Sequence, residues 1–204
     1  MLNRRIYKER YKDRISTLLF DLVNIPKKFR DATVDDIPDK CDYKELIADW
    51  VENIKEYVDE GKWLYLWGGF GTGKTAASTI VLREVLLHDG SAFMFTQNQL
   101  IDYRLRKDEA LFDNYSLTQI VSESNIILLD DMGSQKPNDY IMESIEWLAM
   151  NRYNAGKSLI ITSNLNPDGD KAKEYITGKV LSMSYELATI ISMGDYNWRK
   201  ESKK

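Results

Sequence analysis

Gly68-Gly69-Phe70-Gly71-Thr72-Gly73-Lys74-Thr75 fits the pattern G-x-x-x-x-G-K-[ST] without a mismatch. Residues 62–67 before it run apolar, as a buried strand does, and residues 76–88 after it read as a helix. Strand, glycine loop and helix in that order are the setting in which this pattern has a mechanism. With glycine near 7% of residues, the fixed positions should coincide by chance in only about 1% of chains this long. Backbone N–H groups from Gly68 to Ala76 would cradle a triphosphate at the positive end of the helix. Lys74 would neutralise the β- and γ-phosphates, and the Thr75 hydroxyl would ligate Mg²⁺. The implied cofactors are ATP and Mg²⁺. The alternative is a glycine-rich turn that holds nothing.

A chain of 204 residues suits one α/β domain with a short appendage. Cys41 is the only cysteine and His88 the only histidine, which rules out an internal disulfide or a Cys/His zinc cluster within these residues. No apolar span approaches the ~18 residues that a membrane helix needs, and no signal peptide is visible, so a cytoplasmic location is expected. The net charge of −4 hides an asymmetry. Residues 1–14 carry six basic and two acidic side chains, whereas residues 31–60 carry eleven carboxylates and three lysines. Such runs are either solvated faces or local contact surfaces; an acidic total restricts any DNA contact to a small patch.

Tyr7, Tyr11, Ile15, Leu18, Leu19 and Leu22 recur at helical spacing and face a basic side, so residues 1–23 read as an amphipathic arm. The arm either docks a partner or packs on its own domain. A loop with Pro26 and Pro38 follows, then a helix over 43–60 that Gly61 ends. Further along, strands are expected at 92–95, 126–129, 158–162 and 187–193, and helices at 97–108, 116–122, 138–153 and 171–183. Alternating strands and helices imply a parallel sheet covered on both faces.

The apolar run Ile126-Ile127-Leu128-Leu129 ends in Asp130-Asp131, fifty-five residues after Thr75. Carboxylates at the C-terminal end of a buried strand lie where α/β sheets bind ligands. Asp130 would hold Mg²⁺ through hard oxygen donors, and Asp131 would polarise the attacking water. A strand ending in a helix cap would look the same. The strand ending Thr162-Ser163-Asn164 adds a third piece. If it lies between the other two strands, Asn164 faces the γ-phosphate; otherwise Asn164 only starts a turn.

Taken together, the P-loop, the strand ending Asp130-Asp131-Met132-Gly133 and the strand ending Thr162-Ser163-Asn164 resemble the bacterial helicase loaders of the DnaC/DnaI type and the related IstB transposition ATPases, members of the AAA+ class. Asn24-Ile25-Pro26-Lys27-Lys28-Phe29 is similar to the lead-in segment of that family, and Gly194-Asp195-Tyr196-Asn197-Trp198-Arg199 to its closing motif. The resemblance implies a three-layer α/β/α P-loop NTPase over residues 24–199 with sheet order 5-1-4-3-2, and a basic tail at 200–204. It assigns Asn164 as sensor I and Arg199 as sensor II beside catalytic Lys74 and Asp131. It also implies a hexameric replicative helicase and single-stranded DNA as partners, nucleotide-dependent self-assembly, and no membrane. Tyr103, Arg104, Arg106 and Lys107, with Phe112, would form the DNA contact; a solvated helix face is the alternative.

Two departures qualify this. The segment that carries arginine toward a neighbour's active site in the family reads Gly178-Lys179-Val180-Leu181 here. Lys179 lacks the planar fork of arginine, and Arg152 is the other trans-acting candidate. An arginine finger contributes roughly 10³ to 10⁵ in rate in related phosphoryl transfer, so slow hydrolysis is expected. The second departure is at the N-terminal side: where many members of that family carry a substantial helicase-binding domain, zinc-stabilised in some, residues 1–23 are expected to form at most one helix and hold no cysteine for a zinc site. The leading expectation is an ATPase that loads or remodels a hexameric helicase. Alternatives are a transposition regulator on duplex DNA, a small-molecule kinase, or a non-hydrolysing ATP switch. With Arg152 and Arg199 the only arginines beyond Asp130, an arginine-rich kinase lid is not available there.

Overall fold

The computed structural model describes residues 23–106 and 116–198. Residues 1–22 of the expected arm, Lys107, Phe112, Arg199 and the basic tail lie outside the described residues.

Five strands form one parallel sheet: β1 Trp63–Trp67, β2 Ala92–Thr96, β3 Ile126–Met132, β4 Ser158–Ser163 and β5 Ala188–Ser192. Their order is β2-β3-β4-β1-β5, which is the expected 5-1-4-3-2 counted from the other edge. Every pair is parallel. The strands are apolar on both faces because helices cover both, and successive residues alternate between the two cores. Leu64, Leu66, Met94, Ile126, Leu128 and Ile160 enter one core; Trp63, Tyr65, Phe95, Ile127, Leu129 and Ile161 enter the other.

On the first face lie α1 (Lys44–Glu52), α2 (Ile54–Asp59) and α3 (Lys74–Leu87). On the second lie α4 (Gln97–Leu105), α5 (Leu117–Glu123), α6 (Asp139–Asn154), α7 (Asp170–Tyr175) and α8 (Gly178–Leu187). Sequence-legible caps start several of them: the Thr96 and Ser116 hydroxyls each accept from the backbone N–H three residues on, with Gln99 and Gln119 closing capping boxes. The lead-in segment runs against the β2 edge, where the Met94 N–H donates to the Val23 carbonyl at 3.1 Å. Ile25 and Ile37 are fully buried beside it.

Two expected helices are each two. The one over 43–60 breaks at Asn53, whose side-chain amide donates to the Asp49 carboxylate at 2.9 Å. The one over 171–183 breaks at Ile176, which is extended, and Thr177 caps a new helix. The third strand runs past Leu129 through both acids to Met132, with a register shift against β4 between Leu129 and Met132. That irregularity sits at the sheet end where the P-loop, Asp130 and Asn164 meet. Among the described residues no helix is long and apolar enough to cross a membrane.

Candidate functional site

Placing β4 between β1 and β3 brings three segments together at the C-terminal ends of the strands. A cleft of about 720 Å³ opens there, lined by Gly69 to Ala76, Asp131, Asn164, Lys28, Phe29, Lys171 and Trp198 among others. This is within the roughly 300–1,000 Å³ range of small-molecule sites. Gly71 and Gly73 take φ of 80° and 90°, the left-handed region that glycine enters without strain.

Lys74 is buried, and its ammonium donates to the Gly68 carbonyl at 2.8 Å, the Gly69 carbonyl at 2.7 Å and Asn164 Oδ1 at 2.8 Å. Three acceptors match the three protons of an ammonium. An incoming phosphate would exchange these dipoles for full negative charge. Asn164, at the end of β4 and ahead of the turn at Pro167 and Gly169, therefore touches the P-loop lysine directly.

The Thr75 hydroxyl lies 3.1 Å from each Asp130 carboxylate oxygen. A hydroxyl and a carboxylate at this spacing are hard oxygen donors suited to Mg²⁺. Among the described residues no cluster of three His, Cys, Asp or Glu side chains could hold a metal. A cation between Thr75 and Asp130 would thus complete its shell with phosphate oxygens and water, the usual arrangement for Mg²⁺. Burial pushes the Asp130 carboxyl above its ordinary value and the neighbouring Asp131 charge adds to this, while hydrogen bonds from Thr162 and Thr75 and the Lys74 charge oppose it. A divalent ion would favour the ionised form.

Thr162 carries no role in the sequence reading beyond its place in the strand. Its buried hydroxyl donates to Asp130 Oδ1 at 2.6 Å and accepts from the Asp131 N–H at 3.0 Å. Asp131 itself is left-handed, with φ 57°, and its side chain is exposed toward the cleft. One hydroxyl on β4 thus fixes both acids of β3. The signal was a hydroxyl two residues before Asn164, directly after the apolar run Leu159-Ile160-Ile161.

The more peripheral candidates fare differently. Arg152 is completely buried and donates to the carbonyls of Val121, Ser124, Asn125 and Ser158. Its described partners are all carbonyls, so it is neither an ion pair nor a group offered to a neighbour. It ties α6, α5 and the starts of β3 and β4 together. Burial lowers its pKa to about 9, still charged at neutral pH. Lys179, in the first turn of α8, is exposed and pairs with Glu146 at 2.7 Å. Arg104 turns onto α6, its guanidinium 4.8 Å from the Trp147 ring centre, and Tyr103 packs edge-on against Phe95 at 5.8 Å. Both are half-buried, whereas Arg106 is exposed at the end of α4.

Neither a protein-family profile nor a curated protein matches the sequence. Solved structures do match the fold. The DnaC helicase loader aligns with 25% identity and a TM-score of 0.68, over 82% of this chain and 99% of that one. DnaI aligns with 19% identity and a TM-score of 0.65, over 82% and 93%. The chain has a DnaC/DnaI-type AAA+ fold. The replication initiator DnaA, bound to AMPPCP and single-stranded DNA, aligns with 15% identity and a TM-score of 0.63, over 82% of this chain and 50% of that one. Within the AAA+ frame, Lys74, Thr75, Asp131 and Asn164 line one cleft at the C-terminal ends of the strands, with Asp130 buried against Thr75 beside it.

Proposed function

We propose that this AAA+ protein binds ATP·Mg²⁺ in the P-loop cleft, hydrolyses it slowly, and uses the cycle to load or remodel a hexameric replicative helicase on single-stranded DNA. The observation that carries the nucleotide part is the contact set Lys74–Asn164, Thr75–Asp130 and Asp130–Thr162–Asp131. These link the P-loop, the metal-holding acid, the water-polarising acid and the γ-phosphate sensor across three strands. The helicase part is supported by likeness to the DnaC loader along 99% of that chain. Arg199 would join the site as sensor II, and Arg106 with Lys107 would lead the DNA contact beside Tyr103 and Arg104. Mixing the protein with ATP·Mg²⁺ and candidate hexameric helicases, then weighing the products by native mass spectrometry, tests the partner. No complex with any helicase, and no change in helicase loading on single strands, would reject it.

One observation favours a second reading, a non-hydrolysing ATP switch. Among the described residues Arg152 is the only arginine beyond Asp130, and it is sealed in a cage of carbonyls. Binding of ATP without phosphate release, even with DNA and helicase present, would select the switch.

A further inference from the structure

Across a trans peptide plane the carbonyl of one residue and the N–H of the next point in opposite directions. A loop that aims consecutive N–H groups at a phosphate must therefore aim the preceding carbonyls away from it, and those carbonyls need donors of their own. In this chain three consecutive P-loop carbonyls have them, all from outside the motif. Asn197 Nδ2 donates to the Phe70 carbonyl at 3.1 Å. The Trp198 N–H donates to the Gly71 carbonyl at 3.0 Å. The Tyr43 hydroxyl donates to the Thr72 carbonyl at 2.8 Å. The corresponding N–H groups are those of Gly71, Thr72 and Gly73, the ones a phosphate would meet.

We infer that Tyr43, Asn197 and the Trp198 backbone amide are positioning groups that pre-set the P-loop N–H groups for phosphate by pinning their partner carbonyls outward. The inference rests on the nucleotide-binding reading above. The glycines are shaped to the segment that carries two of these donors, a strap over residues 194–198. A Cβ on Gly71 would lie 2.6 Å from Asn197 Oδ1, and one on Gly73 would lie 2.5 Å from the Trp198 ring. A Cβ on Gly68 would lie 3.1 Å from the Gly194 carbonyl. The P-loop thus needs glycine on its outer side, for close approach of the strap, as well as for its left-handed turns. The strap is held in turn by Lys40, whose ammonium lies 3.7 Å from the centre of the Tyr196 ring. Burial keeps the Tyr43 phenol protonated well past its ordinary range, so it stays a donor.

The test uses Tyr43→Phe, which removes one oxygen, and Asn197→Leu, which keeps the shape and loses the donor. Dissociation constants for ATP·Mg²⁺, ADP and adenosine are measured by competition with a fluorescent nucleotide, alongside the melting temperature without nucleotide. Each variant should weaken ATP and ADP by about fivefold, and the double variant by about twenty-fivefold, at one hydrogen bond each. Adenosine affinity should not change, because it has no phosphate to misplace. Unchanged ATP affinity in both variants overturns the inference while leaving the proposed function intact. Equal losses for ATP and adenosine also overturn it, as general loosening. No ATP binding by the unmodified protein rejects both. Asn197 is half-exposed, so its variant carries the test if Tyr43→Phe does not fold.

Discussion

Replacing Thr162 with valine should separate metal-dependent chemistry from nucleotide capture. Valine keeps the shape of threonine and deletes the one hydroxyl that bridges the two acids. Two bonds go with it: the 2.6 Å bond to Asp130 and the 3.0 Å bond from the Asp131 N–H. A hydrogen bond to a charged group contributes about 1.5–3 kcal/mol, and a buried N–H left without an acceptor costs about 1–3 kcal/mol. The two losses share one atom and do not simply add, so about 3 kcal/mol is expected. At roughly 2–4 °C per kcal/mol for a domain of this size, the melting temperature should fall by about 6–12 °C. Phosphate release should fall by about 10- to 100-fold, since Asp131 loses the contact that anchors its left-handed backbone. ATP affinity without Mg²⁺ should stay within about twofold, because neither bond reaches Lys74. The added affinity that Mg²⁺ confers should shrink, a readout that needs no turnover. Thr162→Ser should restore most of both. A folded Thr162→Val protein with normal turnover and a normal Mg²⁺ increment would refute the bridge.

Lys74→Ala should leave no measurable ATP binding by calorimetry, whereas Asp131→Asn should bind ATP normally and release no phosphate; equal loss of affinity in both would contradict the division of roles. Arg152→Met should strip the donors from four carbonyls and cost about 3–5 kcal/mol, seen as a fall of roughly 10 °C or more in melting temperature. The raised Asp130 carboxyl gives a signed pH effect. The folded state holds that proton to higher pH than the unfolded state, so nucleotide-free stability falls as pH rises above the ordinary carboxylate range. Asp130→Asn should flatten that fall in pH-dependent thermal melts; an unchanged slope would assign it elsewhere.

The site's centre was legible because its chemistry is local in sequence. The P-loop is eight contiguous residues, and Asp130-Asp131 and Asn164 end apolar strands whose partners follow from parallel α/β rules. What escaped was decided by tertiary neighbours. Ile47, Trp50, Ile54 and Val58 keep helical spacing across the break at Asn53, so the hydrophobic period cannot show that one helix is two. Arg152 looks like any surface arginine until α5 and the starts of β3 and β4 close around it. Tyr43 and Asn197 lie 154 residues apart, yet both hold the same loop. No local pattern announces a donor for a carbonyl elsewhere in the chain.

Lys179 offers the sharpest choice between hydrolysing enzyme and switch. It stands in the first turn of α8 with 69% of its side chain exposed, paired only at the surface with Glu146. A surface pair of this kind contributes about 0–1 kcal/mol, too little to prevent the cation from leaving for a triphosphate. If the protein assembles so that this turn meets a neighbour's cleft, Lys179→Arg supplies the planar fork that lysine lacks. Turnover per protomer should then rise, by at least about tenfold if even a small part of a finger's effect is recovered. The rise should depend on protein concentration, because the arginine acts only between subunits, and dilution below the assembly threshold should abolish it. Phosphate release measured across a concentration series, with sedimentation on the same samples, decides the matter. An assembled Lys179→Arg protein that turns over no faster than the parent places Lys179 outside the neighbour's active site. It would leave Arg152, sealed among carbonyls, as the one described arginine beyond Asp130, and the ATP-bound form would then be the working state.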